Sequence, residues 1–170
     1  MQNPQYILRP VSPPFIGLSL LSALILNFLP WGHRYWIPDF VALTLVFWNI
    51  HQPRKVGIGL AFAMGLLMDV DDATLLGQHA LAYTLLSFGA IMMHRRILWF
   101  GTLAQTVHVL PLFLVAQTAT FVVRFVVDGS YPGWTSPIES FVTAALWPLA
   151  TWLLLAPQRR PLDRDENRPI

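Results

Sequence analysis

Residues Gly65–Tyr83 read GLLMDVDDATLLGQHALAY, and the interpretation of their acids decides the fold. An apolar run ends at Asp69, a tight acidic connection follows with Asp71 and Asp72, and a second segment then begins. A carboxylate in lipid costs several kcal/mol unless it finds a partner. The stretch is therefore either a polar site for chemistry or a ligand, or a structural turn at a membrane surface.

The surrounding chain favours membrane on both sides of this turn. Of 170 residues, 55% are hydrophobic and only 12% charged, with a mean hydropathy of +0.52. A soluble domain carries roughly twice that charged fraction. The composition implies an integral, all-α polytopic membrane protein. The lack of cysteine removes disulfides, thiol nucleophiles and Cys-ligated metals. A formal charge of +2 is too small to suggest nucleic acid. The run Phe15–Leu29 after Arg9 superficially resembles a signal peptide. It meets Pro30, Trp31 and Gly32, an interfacial stop, where a small-x-small cleavage site would stand. It reads as a retained first helix.

Working outward, the pattern predicts a cytoplasmic lead over 1–13, a six-helix membrane domain over 14–156 and a disordered cytoplasmic tail over 157–170. The spans fall at roughly Pro14–Trp31, Pro38–Ile50, Val56–Val70, Ala73–Met93, Ile97–Val127 and Pro137–Ala156. The second and third are short, and a re-entrant hairpin is the alternative for that pair. Pro111 should kink the fifth. With the N-terminus in the cytoplasm, the inner side receives nine of the basic residues, including Arg54, Lys55, Arg95, Arg96, Arg159 and Arg160. The outer side receives only Arg34 and Arg124, so the positive-inside rule puts both termini inside. Asp39, Asp69, Asp71, Asp72, Asp128 and Glu139 all map outside.

Within the third span, Gly57, Ala61, Gly65 and Asp69 recur every four residues, a stripe that lets another helix approach closely and that ends in a carboxylate. Asp71 and Asp72 are placed to cap the fourth span, and a divalent cation is the less favoured reading of the three acids. Asp39 suits the start of the second span by complementing the helix dipole, or alternatively pairs with Arg34 or Arg124; for Arg124 the simplest partner is Asp128, four residues on. Gln105, His108, Gln117 and Arg124 in the fifth span, together with His79, read as hydrogen-bonding groups between helices. No G-x-S-x-G, H-E-x-x-H, P-loop or Ser/Lys dyad is present, so no enzyme is expected and neither metal nor cofactor.

The series PDFVALTLVFW (Pro38–Trp48), R-K-V-G-x-G (Arg54–Gly59), MGLLMDV…TLLGQHALAY (Met64–Tyr83) and ALWPL (Ala145–Leu149) resembles the rod shape-determining protein MreD family over roughly residues 30–155. The family pattern Gly-x-x-x-Asp followed by Leu-Gly corresponds to Gly65, Asp69, Leu76 and Gly77. Asp-Asp-Ala-Thr stands here where the family often has a small Gly- or Ser-containing turn. The resemblance implies a non-enzymatic inner-membrane component of the elongation machinery, maintaining rod shape and helping position peptidoglycan synthesis. The partners it implies are MreC, RodA with its penicillin-binding partner, MreB directly or indirectly, the bilayer and a second copy of the chain. It also implies a six-helix bundle similar to the substrate-binding subunits of energy-coupling-factor transporters. From that comes an alternative function, a vitamin-type small-molecule-binding subunit. On this reading Asp39, Gly57, Ala61, Gly65, Asp69, Leu76, Gly77 and Arg124 are the partner-binding or structural positions.

Overall fold

The computed structural model describes residues 7–8, 11–31, 36–72, 75–129 and 136–160. Seven α-helices account for nearly all of them: α1 (Pro13–Phe28), α2 (Phe40–His51), α3 (Gly57–Asp71), α4 (Gln78–Leu98), α5 (Thr102–Asp128), α6 (Ser136–Ala145) and α7 (Trp147–Leu155). A 3-10 turn, Ala156–Gln158, follows α7. Two-residue strands β1 (Ile7–Leu8) and β2 (Arg159–Arg160) pair antiparallel and join the two ends of the described chain.

The centre of the bundle is α2. Every residue from Val41 to Ile50 is buried, so this helix is ringed by the others instead of presenting one face to them. A helix apolar all round belongs in such a position. Its largest side chains, Phe47 and Trp48, stack edge to face at 4.9 Å, and Trp147 of α7 packs 6.1 Å from Phe47. Several polar groups in this core are paired across helices, while Asn49 Oδ1 and Thr151 Oγ1 are buried without a partner among the described residues. Trp48 Nε1 donates to Ser19 Oγ of α1 at 2.8 Å, Asn49 Nδ2 to Ser87 Oγ of α4 at 2.9 Å, and Trp147 Nε1 to Gln105 Oε1 of α5 at 3.0 Å. Each bond removes a donor that would otherwise be stranded.

The helices alternate in direction between a basic and an acidic end. At the basic end Lys55 Nζ, in the α2–α3 turn, donates to the Val11 carbonyl at 2.6 Å. At the acidic end, Asn27 near the close of α1 donates to Asp39 at the opening of α2 at 2.9 Å. The exterior is apolar along much of the bundle, with Leu103 78% and Val126 75% exposed. A contiguous apolar exterior of this kind marks a surface made for lipid or another protein.

The element boundaries depart from the expected spans in several places. Among the described residues, only Thr102–Val127 is long and apolar enough to cross a membrane by itself; Pro137–Ala145 with Trp147–Gln158 qualifies as a second if the pair is one span. That pair bends by 42°, with Pro148 in the first turn of α7, a break the apolar pattern concealed. At 1.5 Å per residue, α2 is only about 18 Å long against about 30 Å of hydrocarbon, because Pro38–Asp39 and Gln52–Pro53 bound it. The fourth segment begins at Gln78, not Ala73, since Gly77 adopts φ +104°, a conformation other residues avoid. It runs on to Leu98, so Ile97 belongs to α4 and not to the fifth span. Helix α5 continues as one helix through Pro111. Residues 157–160 of the expected tail are structured; the remainder of the tail, and the expectations on Arg9 and Arg34, lie outside the described residues.

Candidate functional site

The α3–α4 hairpin is built on one close approach. A Cβ at Gly65 would stand 2.5 Å from Ala80 N and 2.6 Å from the His79 carbonyl oxygen, and would also strike Ala80 Cα. Only glycine allows this distance, and it brings the end of α3 beneath the first turn of α4. Asp69, four residues later on the same stripe, then meets that turn with a fully buried side chain. Its Oδ2 accepts from the N–H of Gly77 at 2.8 Å and of Ala80 at 3.4 Å. Its Oδ1 accepts from His79 N–H at 2.7 Å and from His79 Nδ1 at 3.0 Å. Gly77 has no side chain to cap α4, and the carboxylate of the neighbouring helix does so in its place, satisfying orphan donors and complementing the dipole.

This geometry corrects the capping expected of Asp71 and Asp72. Asp71 ends α3 and Asp72 is its C-terminal cap; both are exposed. With its side chain 44% exposed, the partial loss of hydration still lifts the Asp72 carboxyl above the ordinary carboxylate range. His79 opposes that rise, Asp71 adds to it, and Arg124 opposes it. His79 Nε2 lies 3.6 Å from Asp72 Oδ2, so one imidazole bridges both acids and is an interhelical bonder as expected.

Asp39 is a second hub at the same end. It is the N-cap of α2 and accepts from Ala42 N–H at 2.8 Å, from Asn27 Nδ2 at 2.9 Å and from the Tyr83 hydroxyl at 2.7 Å. Its own N–H donates to Thr143 Oγ1 of α6 at 3.0 Å, and Asn27 Oδ1 accepts from Phe40 N–H at 3.0 Å. Four helices, α1, α2, α4 and α6, are thus joined through one residue. Its hydrogen-bond partners among the described residues are neutral groups, and Arg124, one of the two alternative partners expected, is not one of them. Removing one spoke tests the hub: Tyr83→Phe should lower stability by about 2 kcal/mol, the worth of a hydrogen bond to a charged group. The check is the thermal midpoint of the detergent-solubilised protein, and an unchanged midpoint would show that the hub carries no load.

Between α2, α4, α5 and α6 lies a cavity of about 260 Å³. Asp39 and Tyr83 line it together with Asp72, Glu139, Gln117 and Arg124. With the Gln78 amide turned oxygen toward α5, it accepts from Arg124 Nε at 2.9 Å and Nη2 at 3.2 Å, an orientation assigned from the hydrogen bonding. The Asp128 side chain, the partner first expected for Arg124, lies outside the described residues.

Of the predicted positions, Gly65, Asp69 and Gly77 meet in the hairpin, and Asp39 and Arg124 meet across the cavity. Ala61 is buried within α3. Gly57 is not part of the seam: nothing lies within 4 Å of a Cβ there, and its φ of +64° suits the turn that opens the helix. Leu76 is exposed. His108 bonds within its own helix, to the Ala104 carbonyl at 2.9 Å, and stacks on Phe100, so it links no helices. Asn27, Tyr83, Thr143 and Glu139 were not singled out as site residues. Polar residues near the mouths of apolar runs, all on the acid-rich side, were the available signal.

Set beside known proteins, residues 7–156 match the family model of rod shape-determining protein MreD. A rod shape-determining protein MreD from Haemophilus influenzae is 27% identical over 139 residues, covering 78% of this chain and 82% of the relative. No solved structure matches the chain.

Proposed function

The chain belongs to the rod shape-determining protein MreD family, and on that premise we propose that it is a non-enzymatic, multi-pass inner-membrane component of the bacterial elongation complex. In this reading it binds MreC, and with RodA, its penicillin-binding partner and MreB it helps position peptidoglycan synthesis along a rod. The observation that carries the proposal is the family match over 150 residues, from 7 to 156, on a helical chain with an apolar exterior and paired polar groups inside. Six passes follow if the short helices cross a locally thinned bilayer with α6 and α7 acting as one. Both termini and the Lys55 turn then face the cytoplasm, and the acidic end faces the periplasm. The likeness to energy-coupling-factor substrate-binding subunits rests on the same six passes.

Asp39, Gly65, Asp69 and Gly77 serve this function by holding the outer half of the bundle in one shape. Leu76, exposed beside the hairpin turn, and the apolar outer faces are the surfaces left for a partner helix. The transporter reading fares worse: a cavity of about 260 Å³ falls below the ~300–1,000 Å³ of sites that enclose vitamin-sized ligands. Depletion of the protein should turn rods into spheres, and affinity purification of the full chain should recover MreC. Retained rod shape on depletion, or purification without MreC, would overturn the proposal.

A further inference from the structure

We infer that the exposed face of α4 at the basic end holds one anionic phospholipid, its phosphate at Arg95 and Arg96 and its chains along the helix. Leu81, Leu85, Phe88, Met92 and Arg95 follow one another at intervals of three or four residues and so form a single stripe. All five are exposed, while α2, α3 and α5 take the other faces of the helix. From Leu81 to Met92 the helix axis rises about 16 Å, close to half of the ~30 Å hydrocarbon core and so to the depth of one leaflet.

The charge at the head of the stripe has no partner within the bundle. Arg95 and Arg96, in the last turn of α4, are exposed and make no hydrogen bond or ion pair with any described residue. Every Asp and Glu among the described residues stands at the opposite end. Guanidiniums suit phosphate oxygens, and two on consecutive residues point apart, so they flank a headgroup from two sides. Trp99 keeps helical backbone angles, φ −71° and ψ −22°, and extends the stripe by one more turn. At 92% it is the most exposed large apolar residue described. The corner that carries it is fixed from behind. Ile97 is fully buried, the Phe100 carbonyl accepts from Gln105 Nε2 at 3.0 Å, and the Phe100 ring stacks on His108 at 4.2 Å. An indole held out in this way suits the headgroup layer. Apolar groups, then cations, then an aromatic ring repeat the order of a phospholipid from chain to headgroup. An acidic protein surface would match the guanidiniums but leave Phe88 and Met92, 50% and 70% exposed, without a counterpart.

The inference rests on the membrane orientation proposed above and not on MreC, so purified protein tests it whether or not that partner is recovered. Native mass spectrometry of the full chain in detergent compares phosphatidylglycerol with phosphatidylcholine of the same chains. Each guanidinium near an anionic headgroup contributes about fivefold in affinity, so phosphatidylglycerol should bind at least ~10-fold more tightly. Arg95→Gln with Arg96→Gln should remove that preference. Arg54→Gln takes another exposed cation from the same end but off the stripe, and should change the affinity less than about twofold. Neither glycerol phosphate, which has no chains, nor a decaglutamate peptide should displace the lipid. Equal affinity for the two lipids in the unsubstituted protein, a result that depends on no variant folding, would overturn the assignment. So would an equal loss in Arg54→Gln, which would reduce the effect to general surface charge, or displacement by glycerol phosphate, which would leave the stripe without a role. Displacement by decaglutamate would give the face to an acidic protein. A gain of more than about fivefold on joint Asp163→Asn, Asp165→Asn and Glu166→Gln substitution would give it to the chain's own residues 161–170, and either result would also overturn the lipid assignment.

Discussion

Gly65→Leu is expected to prevent accumulation of folded protein, and Gly65→Ala to cost about 3 kcal/mol. Overpacking ordinarily costs ~1–3 kcal/mol because neighbouring side chains can shift. Here the atoms in the way are Ala80 N, Ala80 Cα and the His79 carbonyl oxygen, all main chain, and no rotamer change clears them. The hairpin has to open, and opening draws Asp69 away from the N–H groups it caps, so the packing loss and the hydrogen-bond loss come together. Leucine adds three heavy atoms beyond the Cβ and exceeds any accommodation. The control is Gly59→Ala in the same helix, where nothing lies within 4 Å of the new carbon. It should be neutral or stabilising by up to about 1 kcal/mol, the helix preference of Ala over Gly. Fluorescence-detected size exclusion of heated samples ranks the three. A midpoint for Gly65→Ala equal to that of Gly59→Ala would show that the two helices do not approach as closely as described.

Asp69→Asn is expected to cost about 3 kcal/mol, while Asp71→Asn and Asp72→Asn each change stability by no more than about 0.5 kcal/mol. Both oxygens of Asp69 face donors: His79 N–H and Nδ1 on one, Gly77 and Ala80 N–H on the other. Whichever way an asparagine turns, its NH₂ meets two donors and leaves them unsatisfied in a buried place, at ~1–3 kcal/mol for each stranded group. The exposed carboxylates of Asp71 and Asp72 exchange any lost bond for water. Restoration of rod shape by each variant in depleted cells, read beside its thermal midpoint, separates the three. Equal tolerance of all three substitutions would remove the argument that Asp69 pins the hairpin.

The hairpin was legible because its signals are local and periodic. Gly65 and Asp69 stand four apart on one helical stripe, Gly77 is a residue suited to a left-handed turn, and all lie within nineteen residues of sequence. The Asp39 hub was only half legible. An acid after Pro38 announces a helix start, and α2 does begin there, but the carboxylate's bonds to Asn27 and Tyr83 and its N–H bond to Thr143 span 12, 44 and 104 residues. No periodicity encodes such separations. For the same reason His108 was misread: an imidazole at membrane depth bonds either its own helix or another, and only the packing around it decides. The breaks at Trp99–Gly101 and at Leu146 were hidden because an apolar run looks continuous whether or not the backbone bends within it.

The resemblance of its motifs pointed to the family, and by itself the sequence determined the helical class, the separation of acids from bases along the chain and the stripe from Gly65 to Asp69. These follow from composition and from spacings shorter than two helical turns, where side-chain direction is set by backbone geometry alone. Tertiary structure decided which helix is central, how the acids are satisfied and where space remains. The burial of α2 on all sides, the joining of four helices at Asp39 and the cavity beside Glu139 depend on how separate helices dock. Docking is chosen by the sum of many contacts distant in sequence, and no single stretch of chain contains that sum.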